Sequence, residues 1–160
     1  MRGALAALCA VLAGCATMTE VHRAVAPGMS SAEVVGVVGK PTVVGKLADG
    51  GAYWDYSRQP YYTDRVSFGP DDRVRGVRNL LTQENFDNLR PGMTLDEVTG
   101  VVGPPSRWAE YANRTTVWTY RYQDVGIWKL LHVTMDSAGR MLRYETEWDP
   151  NIYSINKGQK

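Results

Sequence analysis

The chain has 160 residues, in which 18 Lys and Arg stand against 17 Asp and Glu. A chain of this length can form one ordinary domain or two very small ones. The near balance of charge gives no electrostatic reason to expect a polyanionic partner, so we expect no nucleic-acid binding.

Residues 1–14 have the pattern of an export signal. Arg2 precedes a short apolar run that is too short to span a bilayer, and the run ends in "LAGC" at Cys15. The small pair Ala13-Gly14 before this Cys resembles the lipobox of bacterial lipoproteins. We predict a signal peptide over 1–14, lipidation of Cys15 and a lipidated tether over 15–18. The alternative is an ordinary secretory peptide in which the Cys is accidental.

Removal of the signal would also remove Cys9, so with Cys15 acylated no thiol is left for a disulfide. Each buried methylene contributes about 0.8 kcal/mol to membrane attachment, so several acyl chains would hold the domain without a spanning segment. Ala16 is not the Asp that typically retains lipoproteins at the inner membrane. We therefore expect the outer membrane, with the domain facing the periplasm.

One phrase occurs twice in the chain: "PGMSSAEVVGVVGKP" begins at Pro27 and "PGMTLDEVTGVVGPP" begins at Pro91. The residues that recur are Pro27, Gly28, Met29, Glu33, Val34, Gly36, Val37, Val38, Gly39 and Pro41, which match Pro91, Gly92, Met93, Glu97, Val98, Gly100, Val101, Val102, Gly103 and Pro105. Further on, Trp54 and Tyr56 match Trp118 and Tyr120. The chain is predicted to be an internal duplication.

The repeated phrase predicts a short helix. Ser30 with Glu33, like Thr94 with Glu97, has the spacing of a capping box. The valines that follow lie three and four residues apart and form one apolar stripe, and a Gly and a Pro then end the helix. Intrinsic propensity alone would make "VVGVV" a strand. The Gly inside each helix suggests a close approach of another element.

Upstream of each Pro-Gly, a further helix of one or two turns is expected, in "TEVHRAVAPGM" and "TQENFDNLRPGM". Downstream, the period changes to two and predicts three antiparallel strands per copy, separated by turn residues such as Gly69-Pro70-Asp71-Asp72. The fold class is therefore α+β, as two tandem repeats of two short helices packed on a three-stranded antiparallel sheet. The predicted units are 19–80 and 81–148, and 149–160 is a polar tail.

The pattern G-M-[ST]-x-x-x-V, followed by G-x-P and a W-x-Y strand, resembles the BamE (SmpA/OmlA) family of outer-membrane lipoproteins, and each half carries it. The resemblance covers nearly all of the mature chain. It implies a non-catalytic scaffold or accessory factor in the assembly of β-barrel outer-membrane proteins and in envelope integrity. Familiar members have one unit, whereas this chain has two.

The tandem arrangement also resembles the beta-lactamase inhibitory proteins, in which two related units form one concave surface that grips an enzyme. This resemblance implies a membrane-tethered binder or inhibitor of another periplasmic protein. The two alternatives share one expectation, which is that the chain acts by protein contact.

The residues themselves favour binding over catalysis. His22 and His132 stand in different copies, without Cys or carboxylates at metal-ligand spacing, so we expect no metal, cofactor or enzyme activity. Large rings on loops are enriched at binding hot spots. The sequence places four such rings outside the predicted strands, and we predict that they contact a partner: Tyr61, Tyr62, Trp108 and Tyr111.

Overall fold

A computed structural model describes residues 21–58 and 62–153. The predicted signal peptide, the predicted lipidation site Cys15, the predicted tether over 15–18, Tyr61 and the end of the tail lie outside the described residues. The first unit contains α1 (Val21–Ala24), α2 (Ser31–Val38), β1 (Val43–Lys46), β2 (Ala52–Arg58), β3 (Tyr62–Phe68) and β4 (Val74–Asn79). The second contains α3 (Gln83–Phe86), α4 (Leu95–Val102), β5 (Arg107–Glu110), β6 (Thr116–Asp124), β7 (Ile127–Met135), β8 (Met141–Trp148) and α5 (Pro150–Tyr153).

The repeated phrase forms a helix in both copies, as the capping pattern predicts. In α2 the side chain of Ser30 accepts from the backbone of Glu33, whose carboxylate accepts from the Ser30 N–H; Thr94 and Glu97 repeat this arrangement in α4. These hydrogen bonds lower the pKa of both glutamates, because they favour the charged carboxylate. The valine-rich run is therefore helical because its first turn is capped.

The strand count differs from the prediction, because each sheet has four strands. The sheet orders are β1-β2-β3-β4 and β5-β6-β7-β8, and all neighbours are antiparallel. The two strands that the sequence did not predict, β1 and β5, have four residues each and lie at sheet edges. Every residue of β5 is exposed, so it lacks the alternation on which strand prediction depends. The other strands lie where the period-two pattern predicts them.

Each unit has its own hydrophobic core between its helices and one face of its sheet. In the first unit Val34 of α2 packs near Tyr56 of β2 and Val66 of β3; in the second unit Val98 of α4 packs near Tyr120. The matched pairs Trp54 and Tyr56, and Trp118 and Tyr120, belong to the sheet face against which the helices pack. The predicted stripe is only partly right, because Val37 is 50% exposed.

The matched tyrosines tie each helix to its sheet. The Tyr56 hydroxyl donates to the Gly39 carbonyl at 3.1 Å, and the Tyr120 hydroxyl donates to the Gly103 carbonyl at 3.2 Å. Burial raises the pKa of Tyr56 to about 12 and raises the pKa of Tyr120 as well, because the phenolate is poorly solvated there. Both glycines have a positive φ, of 83° and 76°, with extended ψ values of −167° and −173°, so neither has the left-handed helical conformation.

The Pro-Gly-Met segments join the helices to the last strand of each sheet. The N–H of Gly28 donates to the Val74 carbonyl, and the N–H of Val74 donates to the Met29 carbonyl. The second unit repeats both bonds with Gly92, Met93 and Met141. The motif residues recur because one set of backbone contacts is built twice.

The C-terminal segment departs from the predicted polar tail. Buried Asp149 pairs with Arg121 of β6, with 2.5 Å between Oδ2 and Nε, and α5 begins directly after it. Within the described residues the first unit has two helices and the second has three, so the helix count also differs from the predicted two per unit.

The two units meet at the face of the first sheet that does not carry α1 and α2, here called the outer face of sheet 1. Arg65 of this face donates from Nη1 to the Gly100 carbonyl of α4 at 2.6 Å. A Cβ added to Gly103 would lie 2.8 Å from Cγ2 of Thr63, which is on the same strand as Arg65. Helix α4 is thus packed against its own sheet and also against the first unit.

The prediction that another element packs closely against the mid-helix glycines, leaving no room for a side chain, is wrong. A Cβ added to Gly36 or to Gly100 meets no atom within 4 Å. In the second unit the contact is made by the Gly100 carbonyl, and the glycine with no room for a side chain is Gly103.

Candidate functional site

The most exposed tryptophan of the described residues lies on the short edge strand β5. Trp108 is paired in register with Trp118 of β6, so both rings lie on the helix-bearing face of sheet 2. Trp118 is buried in the core of the second unit, whereas Trp108, on the edge strand β5, is 66% exposed. Leu95, the first residue of α4, is 44% exposed. An aromatic and an aliphatic side chain therefore face solvent close together.

These two side chains form the rim of a groove of about 660 Å³, here called the Trp108 groove. Pro105, Trp118 and Met135 contribute apolar lining. Charged groups of both signs, from Glu110, Arg114 and Asp136, also line it. The groove thus combines apolar and charged lining, as protein-binding patches do.

The first unit does not repeat the Trp108 groove. The position that corresponds to Trp108 is Val44, which is paired in register with Trp54 as Trp108 is with Trp118. Val44 is also exposed but is much smaller than Trp. The two units thus share a backbone framework, and only the second carries an indole at this edge.

The four aromatic residues predicted to contact a partner do not form one cluster in the described residues. Trp108 lies within β5 rather than on a loop. Tyr111 follows β5 and is 55% exposed, but it lines a depression on the opposite face of the sheet. Tyr62 begins β3 of the first unit and is half-buried, and Tyr61 lies outside the described residues. Their role in partner binding stays a prediction.

Tyr111 belongs to a second concave region on the face of sheet 2 that does not carry α3 and α4, here called the outer face of sheet 2. This depression has a volume of about 580 Å³. His132 lines the depression and lies between the Thr119 hydroxyl, 3.0 Å from Nδ1, and the Glu147 carboxylate, 3.0 Å from Nε2. Val117 and Thr134 also line it.

Sequence reasoning did not single out Leu95, Arg114 or the neighbours of His132. The register of β5 on β6 and of β7 on β8 places these residues together, and that register became visible only when the edge strands were known. Leu95 lies three residues before Val98 and seven before Val102, so the helical period would place it on the valine stripe, and its exposure could not be predicted from the sequence.

Within residues 21–58 and 62–153 no group of three or more His, Cys, Asp and Glu side chains is placed to hold a metal ion. No helix in this part of the chain is long and apolar enough to cross a bilayer.

No protein-family model matches the chain, and no curated protein matches it. The solved structures that are similar to it at low identity include the following three. One is a putative osmotically inducible lipoprotein, OsmE, with 17% identity over 47% of this chain and 88% of that chain and a TM-score of 0.38.

The second is a DUF4309 family protein, YjgB, from Bacillus subtilis, with 16% identity over 75% of this chain and 78% of that one and a TM-score of 0.29. The third is an extracellular protein from Bacillus anthracis that contains an SCP domain, with 10% identity over 83% of this chain and 47% of that one and a TM-score of 0.26. These likenesses are too distant to place the chain in a family.

Proposed function

We propose that this protein is a non-catalytic, lipid-anchored binding protein of the cell envelope that serves as a scaffold or accessory factor in the assembly of β-barrel outer-membrane proteins. The lipid on Cys15 would hold it at the outer membrane, facing the periplasm. The observation that carries the proposal is Trp108, whose indole is 66% exposed at the rim of an apolar groove.

An exposed indole leaves a large apolar surface in contact with water, which is unfavourable unless a partner covers it. Burying apolar surface is worth about 25 cal/mol per Å², and an exposed Trp forgoes most of that gain in the isolated chain. Tryptophans are enriched among the few residues that dominate binding energy. Leu95 and Pro105 beside Trp108 extend the apolar area, and Glu110 and Arg114 add charged groups to the lining. A partner that inserts an apolar side chain against Trp108 fits this groove.

The non-catalytic part of the proposal rests on the distribution of reactive groups. The two histidines belong to different units, and the Thr119 and Glu147 side chains already occupy both ring nitrogens of His132. The mature chain would keep one cysteine, and the lipid would block its thiol. The arrangement of the described residues thus favours contact over chemistry.

Site-specific photocrosslinking in intact cells tests the proposal. A photoreactive amino acid replaces Trp108 in the full chain, and a matched control replaces Trp148, which is 59% exposed at the end of β8. We expect position 108 to capture a subunit of the β-barrel assembly machinery and position 148 to capture none of it. Capture at position 108 of one other abundant periplasmic protein would instead favour the tethered binder or inhibitor. Equal capture by both positions would contradict a binding role for the groove.

A further inference from the structure

The Arg58 side chain at the end of β2 has a buried nitrogen with nothing bonded to it. Its Nε atom has no hydrogen-bond partner among the described residues. Within residues 21–58 and 62–153 no carboxylate forms an ion pair with its guanidinium. Asp64 lies diagonally across on β3, but it is buried and does not line the cavity at Arg58. Buried polar atoms without a partner are rare in proteins, so this one requires an explanation.

Arg58 lines a cavity of about 120 Å³ at the edge of sheet 1. Strand β1 pairs in register with β2 only as far as Asp55, so the edge of β2 has no strand partner beyond that point. Lys40, directly after the residue that caps α2, lines the same cavity and supplies a second positive charge. Pockets for drug-sized ligands measure about 300–1,000 Å³, so this cavity has room for one small chemical group.

Two hydroxyl groups in the cavity have a proton to donate. Thr42 Oγ1 accepts from the Ser57 N–H at 3.2 Å, and Ser57 Oγ accepts from the Thr63 hydroxyl at 3.5 Å. Within the described residues no acceptor is bonded to the hydroxyl proton of Thr42 or of Ser57. The residues that line the cavity include no carboxylate. Two cations and two hydroxyl donors without an acceptor form a site for an anion.

The end of helix α2 does not account for both cations. A helix C-terminus carries roughly half a negative charge, whereas Lys40 and Arg58 carry two positive charges. The Tyr56 hydroxyl already donates to the carbonyl of Gly39, which caps the helix. Most of the positive charge in the cavity is therefore left without compensation.

The second unit shows that the fold does not need these charges. At the matched positions, Tyr122 stands in place of Arg58 and Pro104 in place of Lys40. Tyr122 is buried, and its ring packs edge-on against Phe86 with 4.9 Å between the ring centres. Because the same framework is built there without either cation, the cations of the first unit are not required by the framework.

Two other arginines of the chain show which anion a covered Nε binds. Arg65 holds Asp55 with 2.7 Å between Nε and Oδ1 and 2.8 Å between Nη2 and Oδ2. The Nε atom of Arg121 lies 2.5 Å from Oδ2 of Asp149. In both cases a carboxylate lies at the Nε side of the guanidinium, whose flat fork of donors matches the two carboxylate oxygens. Arg58 presents the same side, and its carboxylate is missing.

We propose that Arg58 and Lys40, together with the Thr42 hydroxyl, bind a carboxylate group that another molecule supplies. The two carboxylate oxygens take the Nε side of the guanidinium, and the ammonium group lies beside them. The site goes beyond binding at the Trp108 groove, which belongs to the second unit, so the two proposals are tested separately.

An NMR titration of the full chain in detergent tests the proposal. The signal of the Arg58 Nε–H is followed while sodium propionate replaces sodium chloride at constant ionic strength. We expect a saturable shift with a dissociation constant on the order of 10 mM, since a few charge-assisted hydrogen bonds make up the contact. Methanesulfonate has the same charge but tetrahedral oxygens, and should bind about threefold more weakly or worse. No saturation with propionate, or equal binding of methanesulfonate, would overturn the proposal.

Variants locate the site, with the Ser57 amide as the signal. Lys40 is exposed, so Lys40→Gln should keep the fold and weaken propionate binding about two- to fivefold. Arg58→Lys keeps the charge but loses the fork, and should weaken binding about tenfold or more. Arg78→Gln alters an exposed arginine of β4 and is the control, with no expected change. Equal affinity in all three variants would contradict the assignment.

Two short peptides distinguish the sources of the carboxylate. One has a free C-terminal carboxylate, and the other is amidated at its C-terminus and carries one Glu side chain. Tighter binding of the first peptide than of propionate would identify a chain terminus as the ligand, and tighter binding of the second an acidic side chain. Equal affinity of both peptides and propionate would identify a free carboxylic acid. Binding of an amidated peptide without Glu would overturn the proposal.

Discussion

The clearest difference between the two units at the scale of single residues concerns the buried tyrosines. Both hydroxyls donate to the carbonyl of the glycine that ends the helix above them. Gly39 lies at the surface, whereas Gly103 is buried against Thr63 of the other unit. Water can therefore replace a lost hydroxyl at Gly39 but not at Gly103.

We expect Tyr120→Phe to lower the free energy of unfolding by about 1–3 kcal/mol, because the Gly103 carbonyl is left buried without its donor. The matched variant Tyr56→Phe should cost less than about 1 kcal/mol, since the Gly39 carbonyl can turn to water. Urea denaturation measures both. Equal losses for the two variants would contradict the difference in burial.

Stability should also fall at alkaline pH. A tyrosine with a pKa raised by folding stabilises the folded state fully below the unfolded value of about 10 and loses that contribution as the pH rises. For Tyr56, whose folded pKa is about 12, the loss should run from pH 10 to about 12, at roughly 1.4 kcal/mol per pH unit. Tyr120, shifted in the same direction by burial, should add to it. Urea denaturation at a series of pH values measures the slope, and Tyr56→Phe should reduce it.

At the scale of elements, helices α2 and α4 show how local signals decide structure. The capping boxes and the terminal glycines could be predicted from the sequence, because each depends on residues at most a few positions apart. The edge strands β1 and β5 could not be predicted, because β5 is exposed throughout and β1, whose burial does alternate, has only the four residues Val43–Lys46 to show it. The exposure of Val37 could not be predicted from the sequence either, since the width of the buried stripe depends on which elements cover the helix.

The two glycines of α4 should respond to substitution in opposite directions. Gly100→Ala should stabilise the protein by about 0.5–1 kcal/mol, because Ala is the better helix former and its Cβ meets nothing within 4 Å. Gly103→Ala should destabilise it, because the φ of 76° is unfavourable for Ala and the Cβ would lie 2.8 Å from Thr63. Thermal unfolding of both variants is the measurement. A destabilising Gly100→Ala would show that another element does approach that position.

At the scale of the whole molecule, one buried ion pair links the units. Asp55 and Arg65 are both buried, and Arg65 reaches helix α4. The duplication could be seen in the sequence, but this junction could not, because the residues that correspond to the pair, Thr119 and His132, are of different types. A contact made in only one copy leaves no repeated signature. The Trp108 groove escaped prediction for the same reason, since the first unit has Val44 in that place.

Breaking the pair should affect both units. Asp55→Ala leaves the Arg65 guanidinium buried without its partner, and we expect a loss of about 3–5 kcal/mol. The control is Asp49→Ala, which removes the half-exposed ion pair with Arg75 and should cost less than about 1 kcal/mol. Calorimetry should show that Asp55→Ala also separates the unfolding of the two units into two transitions. A single unshifted transition would contradict the coupling.

The Arg65–Gly100 bond also sets an order of events for a newly made chain. The N-terminal half leaves a ribosome or a secretion channel first, while the helix that shelters Arg65 is still to come. During that interval the Arg65 guanidinium and the Asp55 carboxylate are exposed to water. The N-terminal half is then less stable, and proteases can attack it. Maturation of the N-terminal half is therefore completed by the C-terminal half, so truncated products should be cleared rather than accumulate.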